Sequence, residues 1–205
     1  MSSLTHFDPF VWKGQPSTAT NDTADGLNRV SRFTTLAGGY DSNGNLTKDG
    51  VRTYTYDDEN RLTGIPTGPV TTIEAYDPLG RIRARNTSVV GQVYMLEEGD
   101  HLIAEYNANG LISSGGNPAN PPLRRYVYVP GQNEPIVWYE GTTPYWLHAD
   151  REGSIIAWSD ASGVVTGTGI NRTANYGPYG ESSTANMPRF GYTGQAFWSE
   201  SNLYY

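Results

Sequence analysis

His148 and Asp150 stand two residues apart in the stretch Trp146-Leu147-His148-Ala149-Asp150-Arg151-Glu152-Gly153-Ser154. On an extended strand that spacing puts both side chains on one face. An imidazole and a carboxylate so placed could begin a metal site or, with Ser154, a Ser/His/Asp arrangement for nucleophilic catalysis. Neither set is complete. The other histidines, His6 and His101, are remote in sequence. No nucleophile elbow or oxyanion-forming motif surrounds Ser154. The expected role of Asp150 is structural, opening a turn ahead of Gly153. Asp57-Asp58-Glu59 is a second carboxylate cluster, but ordinary turn chemistry accounts for it better than calcium does.

A different chemistry is open to the aromatic residues around one tight hairpin. Trp138, Tyr139, Tyr145 and Trp146, with His148 and Asp150 beside them, are the candidate ligand-binding set, because aromatic arrays on a sheet can stack sugar rings. The competing expectation is that they form the core. With so few Leu and Ile, the chain must bury its aromatics somewhere, and this reading is favoured.

The elements that would position these groups are written in a repeated turn. Tyr40-Asp41-Ser42-Asn43-Gly44, Tyr56-Asp57-Asp58-Glu59-Asn60 and Tyr76-Asp77-Pro78-Leu79-Gly80 share one template. Tyr106-Asn107-Ala108-Asn109-Gly110, Ser159-Asp160-Ala161-Ser162-Gly163 and Tyr176-Gly177-Pro178-Tyr179-Gly180 are looser copies. The Asp or Asn side chain accepts a backbone N–H two residues on, which starts a type I turn. The last position needs φ > 0, hence Gly44, Gly80, Gly110, Gly163, Gly180 and the tolerant Asn60. Each copy therefore predicts a hairpin with a bulge after a type I turn. The flanks alternate as half-buried strands do: Thr53–Tyr56, Arg81–Arg85, Tyr126–Val129, Ile155–Trp158, and a long hairpin from Pro135 to His148. In Arg81–Arg85 the arginines read as a solvated face opposite Ile82 and Ala84. No segment shows helical periodicity beyond about one turn. The fold class expected is all-β, antiparallel hairpins stacked into a curved sheet or part of a β-shell.

Composition agrees with that class. Aromatic residues make up 12% of the 205 residues, with 15 Tyr and 5 Trp, while 24 Gly and 13 Pro supply turns. The net charge is −7, and of 14 basic residues only Lys13 and Lys48 are lysines. No basic patch offsets the acidic balance, so no nucleic-acid partner is expected. There is no Cys, hence no disulfide or thiolate site. Met1 to Phe10 lacks the pattern of a signal peptide, and no apolar run is long enough to span a membrane. Residues 1–27 read as a polar N-terminal segment, disordered or a cut edge. The clearest repeats fill 28–112, a Gly/Pro/Asn-rich loop covers 113–122, and an aromatic-rich β region runs from 123 to 205.

Several of these stretches resemble the core region of bacterial Rhs proteins and their YD repeats. Arg124-Arg125-Tyr126-Val127-Tyr128-Val129-Pro130-Gly131 and Glu134-Pro135-Ile136-Val137-Trp138-Tyr139-Glu140-Gly141 are similar to "RRYVxxPG…EPLVWYEG". Trp146 to Ile155 resembles "YLHxDHLGSV", and Phe190 to Ala196 with Asn202 to Tyr205 resembles "RYTGQ…TGLYYYxARYY". The resemblance covers nearly everything from about residue 28. It implies a hollow shell of β-hairpins enclosing a toxin, as in the related toxin-complex components, with teneurins as cell-surface relatives. The family core continues into a self-cleaving "DPxxGRF…DPxG" region, which has no counterpart before Tyr205, so the resemblance implies a segment truncated at its C-terminal end.

The expectation is thus a non-catalytic shell segment with no cofactor or metal, secreted or at a bacterial cell surface. Its partners would be a toxin or other polypeptide cargo or further shell segments, with self-association through open strand edges. The alternative expectation is a cell-surface carbohydrate-binding module, with a glycan partner held by the Trp/Tyr hairpin.

Overall fold

An Asp that accepts two amides of its own turn, followed by a residue at positive φ, reverses the chain within a few residues and sets the register of the strands on either side. In the computed structural model, which describes residues 23–66, 71–88, 91–107, 121–131, 133–167, 170–182, 187–199 and 201–205, that device organises almost everything. The chain is all-β, built of antiparallel hairpins. Its helical structure among the described residues is one turn, α1 (Ser31–Thr34), and a short 3-10 turn at Tyr192–Gly194.

The chain divides into two compact units. The first holds residues 23–96 and 105–107. Its strands are β1 (Thr55–Tyr56), β2 (Leu62–Ile65), β3 (Thr71–Tyr76), β4 (Ile82–Thr87) and, as far as Leu96, β5 (Gly91–Glu98). Each pairs antiparallel with the next, from β1 through β5. Upstream, single bridges Tyr40↔Leu46 and Lys48↔Thr53 continue the same up-and-down path. Ile65, Ile73, Ile82, Ala84, Val93 and Met95 are buried. The solvated face expected for Arg81–Arg85 does not extend to Arg85. That residue is fully buried, with its Nη2 3.7 Å from a carboxylate oxygen of the equally buried Glu105. A counter-charge on another strand makes the burial tolerable, and nothing local to Arg85 could announce it.

The second unit comprises Glu97–Ala104 and Pro122–Tyr205; β6 (His101–Asn107) is divided between the two. Four strands follow, β7 (Arg124–Tyr128), β8 (Pro135–Glu140), β9 (Thr143–Ala149) and β10 (Ile155–Ser159), each paired antiparallel with the next. Two short hairpins complete it: β11 (Thr166–Gly167) with β12 (Ile170–Asn171), and β13 (Phe197–Trp198) with β14 (Leu203–Tyr204). Tyr126, Leu147, Ile155, Trp158, Ala174 and Phe190 form its core. Tyr126 meets Phe190 edge-on at 4.8 Å, a geometry worth about 0.5–1.5 kcal/mol beyond the area it buries. Among the described residues no helix is long and apolar enough to cross a membrane.

Candidate functional site

The turn residues share one geometry. From Asp41, the amide of Asp41 donates to the carbonyl of Asn45 at 3.0 Å and the amide of Gly44 donates back to the carbonyl of Asp41 at 3.2 Å. The Asp41 Oδ1 accepts the amides of Asn43 and Asn45 at 2.9 and 2.8 Å. Asp57, Asp77 and Asp160 repeat the arrangement, closing at Arg61, Arg81 and Val164. Their fourth residues, Asn60, Gly80 and Gly163, sit at φ of 63°, 81° and 76°. Gly180 (φ 82°) closes the same backbone pattern begun by Gly177. Gly110 lies outside the described residues.

Sequence reasoning missed part of this set. Asp25 opens the same turn, with Asn28 at φ 59° and the amide of Arg29 on Oδ1; Asp25-Gly26-Leu27-Asn28-Arg29 lacks the leading Tyr that defined the template. The role of the closing position, Arg or Asn in the repeat, also went unread. That position carries a donor for the second carboxylate oxygen: Arg29, Arg61 and Arg81 bring Nε within 2.8, 2.8 and 2.7 Å of Oδ2. Asn45 does so through Nδ2 at 2.9 Å, and Arg172 reaches Asp160 from further along the chain at 3.0 Å. The recurrent Arg after the Gly or Asn was the available signal.

These bonds favour the charged carboxylates. The Arg61 amide, helped by its guanidinium, holds Asp57 below the usual carboxylate range. The Asn45 side chain does the same for Asp41, the Arg29 side chain for Asp25, and the Val164 amide for Asp160. For Asp77 desolvation pushes upward, but the Arg81 amide and guanidinium outweigh it and the carboxyl is lowered.

The aromatic hairpin splits between two faces, because successive strand residues point opposite ways. Trp138 pairs with Tyr145 across β8 and β9, their rings 5.0 Å apart, and both pack against the core. Tyr139 and Trp146 belong to the alternate face. Tyr139 lies under the Arg125 guanidinium at 4.4 Å, and Trp146 is 40% exposed. The candidate set is therefore not one array.

His148 is exposed near the end of β9, with Nε2 3.0 Å from the hydroxyl oxygen of Ser159 on β10. Asp150 lies just past the strand and opens a turn through the amides of Glu152 and Ser154, both at 2.9 Å. Ser154 is buried and its hydroxyl accepts the Thr193 amide at 3.0 Å. The structure thus brings His148 to Ser159 and commits Ser154 elsewhere. Among the described residues no group of three His, Asp or Glu side chains could hold a metal ion.

No family model matches the chain. Two curated proteins resemble it along almost its whole length. One is the tRNA3(Ser)-specific nuclease WapA of Bacillus spizizenii, 28% identical over 201 residues; the other is the tRNA nuclease WapA of Bacillus subtilis, 29% identical over 200 residues. Each match covers 94% of this chain and only 8% of the relative, so the chain spans a small fraction of the proteins it resembles.

Those names correct the expectations drawn from the sequence. Both relatives are named as nucleases, and no Rhs or YD-repeat model matches, so the Rhs identification is set aside. The non-enzymatic shell holding a toxin cargo falls with it, as does the carbohydrate-binding alternative. The physical reason is that an Asp-led hairpin turn specifies backbone geometry, and the same geometry serves proteins of unrelated function.

Proposed function

We propose that this chain is a hairpin-built segment of a tRNA-directed nuclease. The observation that supports the reading is the similarity to two proteins so named, along 94% of the chain in each case. The acidic balance argued against a nucleic-acid partner; in this proposal tRNA is the substrate of the larger polypeptide, of which the segment is a small part. The turns fix the strands in register, and the exposed face bearing Trp146 and His148 offers two groups suited to RNA. An indole can stack on an unpaired base, and an imidazole can move a proton near neutral pH. A secreted or bacterial cell-surface setting belongs to the same proposal, as does pairing with further polypeptide at strand edges.

The test is cleavage of purified tRNA by the longer polypeptide that contains this segment, with His148→Ala and Trp146→Ala alongside. Cleavage by the parent is expected, and loss of turnover in a folded His148→Ala protein would place the imidazole in the chemistry. Cleavage unaffected by both substitutions would assign the chemistry to residues outside this face. A parent that binds and cleaves no tRNA would overturn the reading.

A further inference from the structure

The Asp-led turns differ in what their third residue carries. It is Leu27, Glu59, Leu79, Glu152 or Ser162 in the turns of Asp25, Asp57, Asp77, Asp150 and Asp160, and Asn43 in the turn of Asp41. Gly44 follows Asn43, and among the described residues no other asparagine precedes a glycine. That pair sets an electrophile beside a nucleophile. The side-chain carbonyl carbon of Asn43 can be attacked by the backbone nitrogen of Gly44, closing a five-membered succinimide ring. Asparagine is a chemically labile residue on this account. A side chain on the following residue would hinder the approach of its nitrogen; glycine has none, and its backbone is free to swing.

The structure of this turn both permits the attack and opposes it. Asn43 and Gly44 are exposed, and a Cβ built on Gly44 would meet nothing within 4 Å, so water reaches the reacting atoms. The Gly44 amide must leave the Asp41 carbonyl before it can attack, and that bond is 3.2 Å long. The corresponding bonds from Asn28, Asn60, Gly80, Gly153 and Gly163 are 2.9, 3.0, 2.9, 3.1 and 2.9 Å, so the Asp41 turn has the longest of the set. Against this, the Asn43 side chain is held from the neighbouring turn. Its Nδ2 donates to Oδ1 of Asn60 at 3.1 Å, and the same oxygen accepts Nδ2 of Asn45 at 2.8 Å.

We propose that Asn43 is a site of covalent self-modification by deamidation, and that Asn60 restrains it. The Gly44 nitrogen bonds to Cγ of Asn43, the Cγ–Nδ2 bond breaks, and ammonia leaves with the proton that the Gly44 amide gives up. Water, the one co-reactant, then opens the ring. Addition at Cγ leaves an aspartyl residue; addition at the other ring carbonyl leaves an isoaspartyl residue, whose main chain runs through Cβ. Neither product can keep the turn as it was. A carboxylate replaces the Nδ2 donor, so Asn60 Oδ1 loses one of its two partners and a second negative charge stands close to Asp41. The isoaspartyl form also lengthens the main chain inside the turn, drawing the Gly44 and Asn45 amides off the Asp41 oxygens that accept them. The tie between the Asp41 and Asp57 turns is thereby loosened, in a step that water does not reverse. The inference does not depend on the nuclease reading.

The test is peptide mass mapping of the whole 205-residue chain held at mildly alkaline pH, where the Gly44 amide gives up its proton more readily. Asn43 is expected to exchange its NH2 for OH ahead of every other described asparagine, with aspartyl and isoaspartyl forms separated by chromatography. Asn43→Gln, which would have to close a larger ring, should show no change at that position over the same interval. Asn60→Gly keeps the positive φ and removes the restraint. It should quicken the change at Asn43 about two- to tenfold, the factor that one net hydrogen bond represents. Asn60→Asp keeps an acceptor oxygen and should leave the rate near that of the wild type, which separates the restraint from a general loosening of the turn. Another described asparagine changing first, or no change at Asn43 while an unfolded peptide of the same sequence reacts, would overturn the site. Equal rates in the wild type and Asn60→Gly, or equally raised rates in both Asn60 variants, would overturn the restraint.

Discussion

The hydroxyl of Tyr56 donates to the carbonyl of Leu46 at 2.9 Å, and Leu46 is the residue just past the closing position of the preceding turn. The same relationship recurs. Tyr76 donates to Leu62, just past Arg61; Tyr176 donates to Ile155, just past Ser154. Tyr40 uses its oxygen the other way, accepting the amide of Val30, just past Arg29, at 3.1 Å. Tyr40, Tyr56 and Tyr76 thus tie their own hairpins to the previous one, while the Asp beside each shapes the local reversal; Tyr176, followed by Gly177, reaches past the Asp160 turn to the hairpin before it. Removing that tie isolates it from the turn. Tyr56→Phe should cost about 0.5–1.5 kcal/mol, seen as a lower denaturation midpoint with an unchanged slope. Tyr179, 88% exposed, is the control, and Tyr179→Phe should leave the midpoint where it is. Equal midpoints for Tyr56→Phe and the wild type would show that the hydroxyl contributes nothing net.

Gly80 has φ of +81°, and a Cβ added there would meet nothing within 4 Å. Its requirement is therefore conformational and not steric crowding by neighbours. Gly80→Val should destabilise by at least the roughly 1–2 kcal/mol that an L-residue loses in the left-handed region, more because valine is β-branched. Asn60, at φ 63°, offers the converse. Asn60→Gly removes the residual strain but also the Asn60 Oδ1 that accepts from Asn43 and Asn45 at 3.1 and 2.8 Å, so its effect should lie within about 0.5 kcal/mol of zero. Thermal melts of the two variants check both statements.

Arg85 and Glu105 are both fully buried, their charged groups 3.7 Å apart. Deleting one partner of such a pair takes a counter-charge away from the other inside a poor solvent, so Glu105→Ala should destabilise by up to about 3–5 kcal/mol. The double replacement Arg85→Met with Glu105→Leu should recover much of that loss, because the charge is then gone along with its partner. A single variant no less stable than the double would mean the pair is not what holds those residues in place.

That pair also marks where the sequence stops being readable. The hairpins and the all-β class were legible because an Asp with Gly or Asn three residues later acts within its own few residues, and Ile82 and Ala84 alternate as a buried strand face must. Arg85 occupies an alternate position that local pattern assigns to solvent; Glu105, which makes it a buried residue, is remote in sequence. His148 is a similar case. Its contact with Ser159 depends on a register shift between Ile155 and Ala157 in β10, and period-two counting cannot supply a bulge. The split of the aromatic quartet followed from period two alone once β8 and β9 were paired residue to residue, whereas composition had lumped the four together.

The Asp-led turns make stability depend on acid in a definite direction. Asp25, Asp41, Asp57, Asp77 and Asp160 have carboxyls lowered in the folded chain by amide and side-chain donors. A lowered folded-state value means the unfolded chain binds protons more readily. The contribution is then fully present above the unfolded carboxyl value, about 3.9, and disappears as pH falls below it through the folded values. The melting midpoint should therefore be flat with respect to these groups between pH 7 and 5 and fall between about pH 4 and 2. Asp57→Asn keeps an acceptor for the Glu59 and Arg61 amides but has no proton to gain, so its midpoint should start lower at pH 7 and converge on the wild type at pH 2. Because Asp57 is bonded to Arg61 through Nε at 2.8 Å, added salt should narrow the pH 7 gap as well. A gap between wild type and Asp57→Asn that stays constant from pH 7 to pH 2 would show that the carboxylate charge adds nothing beyond the hydrogen-bond acceptor.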